Sequence, residues 1–334
     1  MFYPGEKNLI TDVDNILVGN AEDNIVGTGT TILIAPENSI ASADIRGGAP
    51  GTRGVGALNP YNLVDTVDAI VLSGGSTWGL EAASSSANLI GKDGKGFRSS
   101  PEIKNVPMVP AAILFDINNG GNKDWGDESP YLNLGIKATE NASTDFNLGN
   151  TGAGYGAKAG SLKGGLGSSS FVSDKGLQIG GLFAVNSYGS VVNSQTGQFW
   201  AATDEIDEEF GNKGVPSSLP DDILSGSSTS GILANNNTTI GIIATNAKLS
   251  PKEAKRIAIM AHTGMSRAIR PIHTPVDGDI IFVVSTNSYI KEITFKDINI
   301  LGELGARVCS RSISRAIYEA DSLFDIISWK ERYS

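Results

Sequence analysis

Two segments of the chain, TIGIIAT at 239–245 and DIIFVVS at 279–285, are each built round an unbroken apolar run and are rich in β-branched residues. A strand with one face in water alternates apolar and polar residues, whereas a strand covered on both faces does not. Runs of the same kind, bounded by Gly, Asn, Ser or Asp, predict strands at 29–35, 69–73, 108–113, 178–185, 239–245 and 279–285. Helical spacing of apolar residues predicts helices at 77–90, 250–269 and 306–323. The second of these is the clearest. Ser250, Pro251 and Glu253 supply a cap, a proline in the first turn and an early acid, and Ala254, Ile257, Ala258, Ala261 and Met265 form its buried stripe. Strands and helices come in runs, not in strict βαβ alternation, which predicts an α+β fold with helices on the outer faces of two sheets. The acidic DEIDEEF at 204–210, Pro216, Pro220 and the aperiodic SSTSGILANNN at 227–237 read together as an exposed connector over 203–236 within a single domain, 1–334.

Composition narrows the function. The formal charge is −10, and no cluster of four or more Lys/Arg occurs, so a nucleic-acid partner is not expected. No apolar run reaches the ~20 residues that a bilayer requires, and MFYPGEKNLITDVDN lacks a stretch of signal-peptide character. The single cysteine, Cys309, cannot form an internal disulfide. A soluble, cytoplasmic protein without a membrane partner is expected. Glycine is abundant, with 41 among 334 residues, which raises the question of a phosphate loop. GAGYGA at 152–157 fits G-x-G-x-x-A, but no predicted strand precedes it, and no G-x-x-x-x-G-K-[ST] exists. No nucleotide cofactor is expected.

The only histidines, His262 and His273, do not form a metal-binding pair such as H-E-x-x-H and read as structural. Asp277 and Asp279 flank one glycine, so an extended backbone puts both carboxylates on one face. A hard cation, a turn at a strand start, or a cation belonging to the protein or its substrate would each account for them. Thr238 sits where the polar connector meets a predicted strand. If the bond after Asn237 were cut, Thr238 would gain an α-amine of pKa ~8 able to serve as base for its own hydroxyl. Such chemistry requires neither histidine nor cysteine.

LITDVDNILVGNAED, ADIRGGAPGTR, AIVLSGGSTWGLEAA, VPAAILFDI, GAGYGAKAGSLKGGLGSSS and NNTTIGIIATNAKLSP, in this order, resemble the P1 (DmpA-like) aminopeptidases and the nylon-oligomer hydrolases. AHTGMSRAIRPIHTPVDGDIIFVV and the Asn-Thr-Thr junction are especially similar to the latter. The resemblance implies a four-layer αββα sandwich of the N-terminal-nucleophile hydrolase type. It implies a precursor cut between Asn237 and Thr238 into 1–237 and 238–334, assembled as a tetramer of cleaved heterodimers, with a small or oligomeric amide as substrate and no metal or cofactor. Thr238 is then the nucleophile, Asn186 the oxyanion donor, and Asp277 and Asp279 the acids that hold its amine. Lys163 matches the lysine of the aminopeptidases, with Lys158 as the alternative. Phe115 stands where those hydrolases carry a tyrosine. Ser73, Gly74 and Gly75 line the pocket or simply turn a strand into a helix. An exo-acting aminopeptidase and an uncut, non-catalytic binding protein are the rival expectations.

Overall fold

The structure, a computed structural model, describes residues 1–220, 222, 224–228 and 237–334. Along the chain run β1 (Phe2–Tyr3), β2 (Leu17–Asp23), β3 (Thr28–Ile45), β4 (Thr52–Arg53), β5 (Thr66–Ser73), α1 (Glu81–Lys92), β6 (Ala111–Ile113) and α2 (Tyr131–Glu140). There follow β7 (Lys158–Ala159), β8 (Leu162–Lys163), β9 (Gly165–Ser173), β10 (Gln178–Asn186), β11 (Thr238–Thr245), α3 (Pro251–Ala268), β12 (Ile280–Ser285), α4 (Phe295–Tyr318) and α5 (Trp329–Tyr333). Apart from the β7–β8 hairpin, the strands join in the order β1-β9-β10-β11-β12-β3-β5-β6-β4, with β2 also on β3. The pairs β11–β12 and β5–β6 are parallel, and the other pairs are antiparallel.

The long strand β3 explains the layering. Its first part pairs with β2 and β5, its end pairs with β12, and the register slips between Ile34 and Ser39. An irregularity of this kind bends a strand and lets one sheet fold over as two leaves. The side chains report both leaves. Leu182, Ala184, Ile240, Ile242, Phe282 and Val284 share one core with Leu33, Ile70 and Leu72 across the leaves. Their sequence neighbours Phe183, Val185, Ile243, Ile281 and Val283 face the other way, into a core with α3 and α4. On the far side, Ile32, Ala69 and Val71 pack against Ala82, Ala83 and Leu134 of α1 and α2. Three cores between four layers make an αββα sandwich. The two sheets expected from the sequence are thus two leaves of one hydrogen-bonded sheet.

Helix α3 starts as predicted, with Glu253 Oε2 accepting from the Ser250 amide at 2.8 Å. Helix α4 starts at Phe295, well before 306, because Thr294 and Asp297 cap it reciprocally. The expectation of an exposed connector over 203–236 is corrected in its first part. Asp204 and Phe210 are buried. Ser310 donates to Asp204 at 2.7 Å, and the fully buried Arg311 of α4 pairs with Glu209 at 2.5 Å. A buried guanidinium needs a partner charge, and the acidic run supplies it. Farther along, Val215 and Leu219 are exposed, whereas residues 221, 223 and 229–236 lie outside the described residues. No helix among the described residues is long and apolar enough to cross a membrane.

Candidate active site

Thr238 opens β11, buried, directly opposite Asn186 at the end of β10. The Thr238 hydroxyl donates to the carbonyl oxygen of Asn237 at 2.6 Å, which brings a candidate nucleophile against the peptide group preceding it. The same oxygen accepts a second hydrogen bond, from the Gly278 amide at 2.9 Å, and the Asn237 amide donates to Val276 O at 3.1 Å. Asn237 thereby pairs with the 276–278 loop as an extra rung of parallel sheet beside β12.

That loop carries Asp277, Asp279 follows it directly, and neither is exposed. Asp279 accepts from the Thr239 amide at 2.8 Å through one oxygen, and from the His273 amide at 3.1 Å and His273 Nδ1 at 2.8 Å through the other. Asp277 accepts from Tyr188 N at 3.2 Å, Thr274 N at 3.0 Å and Thr274 Oγ1 at 2.5 Å. Burial, and next the charge of Asp279, push the Asp277 carboxyl up to about 6. Among the described residues no group of three or more His, Cys, Asp or Glu is placed to hold a metal ion.

Asn186 is locked from three sides. Its Oδ1 accepts from Lys158 N and Asn119 Nδ2, each at 2.9 Å, and its Nδ2 donates to Phe115 O at 3.0 Å. A fixed amide next to a nucleophile is a preorganised dipole. Lys158 and Lys163 face each other across the β7–β8 hairpin but differ in environment. Lys163 is fully buried and its ammonium donates to Gly154 O at 3.1 Å and Gly164 O at 2.8 Å. Burial pulls it down to about 7, against the opposing pull of Asp116. Lys158 is half-buried and, with Asn119, Phe324 and Asp325, lines a cleft of about 210 Å³.

The expected pocket residues divide. Phe115 adjoins the site through its carbonyl. Ser73, Gly74 and Gly75 are committed to packing: the Ser73 hydroxyl pairs with Thr30 at 2.8 Å, the Gly74 amide donates to Gly29 O at 2.9 Å, and the Gly75 amide donates to Asp116 at 2.8 Å. Asp116 is itself buried, bonded to Thr28 at 2.6 Å, and burial pushes its carboxyl up. Asn119 and His273 also adjoin the site, Asn119 through Asn186 and His273 through Asp279. Their signals were the polar DINNGG that ends an apolar run and the short turn between His273 and Asp279. His262, in contrast, is internal: its Nε2 lies 3.0 Å from Asp44 O, and burial lowers it to about 4, which leaves it neutral. Its ring meets that of His273 edge-on, with centroids 4.9 Å apart.

Residues 8–326 match peptidase family S58. The chain belongs to this family. An uncharacterized aminopeptidase of Mycobacterium tuberculosis is 39% identical over 290 residues, 84% of this chain and 82% of the relative. A 6-aminohexanoate-oligomer endohydrolase of Kocuria sp. is 27% identical over 85% of this chain and 76% of the relative. Among solved structures, a Burkholderia sp. beta-aminopeptidase superposes with a TM-score of 0.70 at 18% identity, covering 98% of this chain and 92% of that one. An L-aminopeptidase D-Ala-esterase/amidase from Ochrobactrum anthropi, described as a variant of the Ntn hydrolase fold, gives 0.66 at 18% identity, covering 95% and 88%. This S58 chain is therefore a hydrolase with the Ntn-type sandwich.

Proposed function

We propose that this S58 hydrolase is made as a precursor that cuts itself between Asn237 and Thr238, giving pieces of 1–237 and 238–334, and then hydrolyses linear aliphatic amides with Thr238. The observation that carries the reading is the Thr238 hydroxyl at 2.6 Å from the carbonyl oxygen of the bond to be cut. After the cut, the new α-amine takes the proton of its own hydroxyl as Oγ1 attacks a substrate carbonyl. One hydrogen of Asn186 Nδ2 is held by Phe115 O, and the second serves the oxyanion. Asp277, whose backbone pairs with Asn237, and Asp279, which accepts from the Thr239 amide, hold the amine in place. Lys163, with its depressed affinity for a proton, exchanges one near neutral pH, and Lys158 faces the substrate cleft. Water then releases the acyl group from Thr238. No metal or cofactor takes part, and the enzyme assembles as a tetramer of cleaved heterodimers.

6-Aminohexanoate oligomers are the substrates we infer, from the endohydrolase relatives. The aminopeptidase reading is supported by the higher identity to the mycobacterial aminopeptidases. N-acetylated oligomers separate the two, since only an endo-acting enzyme releases products from them. The central test is Thr238→Ala. Intact mass is expected to show one uncut chain without amide turnover, while the parent gives two pieces with threonine at the new terminus. Normal cutting in the variant would end the proposal.

A further inference from the structure

Two donors converge on the carbonyl oxygen of Asn237, and they differ in fate. One is the Thr238 hydroxyl, which ceases to be available as a donor once its oxygen attacks. The other is the Gly278 amide at 2.9 Å, a backbone group that plays no covalent part. The peptide unit that carries it is clamped: its own carbonyl, Asp277 O, accepts from the Ala49 amide at 2.8 Å, and Asp279 O next along accepts from Arg46 N at 3.0 Å and Gly47 N at 3.3 Å. The RGGAP turn at 46–50 thus holds the loop from one side while Asn237 leans on it from the other. A donor fixed in advance, in a buried site, is what stabilises charge growing on a carbonyl oxygen.

The position also excludes larger residues. A Cβ on Gly278 would sit 2.8 Å from Thr238 Oγ1 and 2.8 Å from Ala49 O. Its backbone lies outside the left-handed region, so the glycine is explained by crowding around the hydroxyl and not by conformation.

We infer that the Gly278 amide is the oxyanion donor of the self-cutting step, stabilising the tetrahedral centre formed from the Asn237 carbonyl. The inference rests on the self-processing proposed above and assigns one of its catalytic groups. In the step, Oγ1 of Thr238 bonds to the Asn237 carbonyl carbon and the negative charge collects on the oxygen facing Gly278. The Asn237–Thr238 C–N bond then breaks, and the hydroxyl proton ends on the departing nitrogen. Water cleaves the resulting ester, leaving the Asn237 carboxylate and restoring the hydroxyl.

The test replaces Gly278 by glycolic acid during cell-free translation, which exchanges one N–H for oxygen and adds no bulk. Lactic acid at Ala49 is the control that loosens the same peptide and leaves the donor intact. Cutting is followed by gel after synthesis, and folding by near-ultraviolet circular dichroism. The glycolate chain is expected to mature about 10²–10³-fold more slowly than the unmodified chain, and the lactate chain far less so. Equal rates in the glycolate and unmodified chains, or equal slowing in both esters, overturn the inference and leave self-processing standing. An unmodified chain that never cuts removes both. If the glycolate chain fails to fold, Gly278→Ala decides: crowding the hydroxyl is expected to slow cutting at least tenfold, and unchanged cutting refutes the assignment.

Discussion

Replacing Lys163 by methionine gives the sharpest physical test of the buried site. The unfolded amine keeps its proton up to about 10.5 and the folded amine only up to about 7, so between those values the unfolded state holds more protons. Stability therefore rises with pH across that window, and the ammonium is a full liability below it. One proton with these two affinities gives a stability gain of about 2–3 kcal/mol between roughly pH 7.5 and pH 9.5. The methionine chain lacks this slope. It also loses the donor to Gly164 O, at a cost of about 1–3 kcal/mol, and one of two donors to Gly154 O, which keeps the Ala157 amide at 3.2 Å, but these costs do not change with pH. The slope and the offset separate cleanly for this reason. Urea unfolding followed by tryptophan fluorescence, in a Thr238→Ala background that removes the proposed cut, should show the parent gaining steadily on the methionine chain, by about 2–3 kcal/mol from roughly pH 7.5 to pH 9.5. A difference constant to within about 0.5 kcal/mol over that range would refute a lysine of depressed proton affinity.

The strands β11 and β12 were legible because covered strands leave an unbroken apolar signature, and α3 because Ser250 and Glu253 mark its first turn. Strand β9 was not. Its sequence, GLGSSSFVS, carries no apolar period, since the place of large side chains is taken by α4 itself. A Cβ on Gly167 would collide with Ser312 O, and Ser168 and Ser169 donate to Gly181 O at 2.6 Å and Val308 O at 3.0 Å. Close backbone approach replaces hydrophobic burial there, and no periodicity records it. The start of α4 was hidden in the same way by Gly302 and Gly305, which interrupt its stripe where it meets α3. At the site, Thr238 with Asp277 and Asp279 was readable as a junction and a D-G-D pair, but the Gly278 amide, Asn119 and His273 are brought beside it by loops, and their placement depends on which turns meet in space. Lys158 and Lys163 looked alike as flanking lysines, and the hairpin separates them by burying only Lys163 completely.

Asn186→Ala should cost about 10²–10³-fold in kcat/KM on a supplied amide, with KM much less affected, because the oxyanion dipole is lost. An unchanged kcat would remove Asn186 from the reaction. Asp277→Asn probes the paired acids through stability, again in the uncut background. The Asp277 carboxyl is raised to about 6 from an ordinary 3.8, so the unfolded state releases its proton first, and folding is progressively penalised as pH rises through that interval. The penalty is complete above about 6 and absent below about 3.8. Asparagine carries no such charge, so the variant should gain about 2–3 kcal/mol relative to its parent between the two limits. A fixed loss is superimposed, because one amide oxygen replaces two carboxylate oxygens that serve Tyr188 and Thr274. Burial sets this sign and the neighbouring charge of Asp279 adds to it: a carboxylate held out of water beside another gains most in folding when it is made neutral. Parallel pH profiles for parent and variant would mean that Asp277 is not charge-strained, and the pair would then have no electrostatic grip to exert on the amine of Thr238.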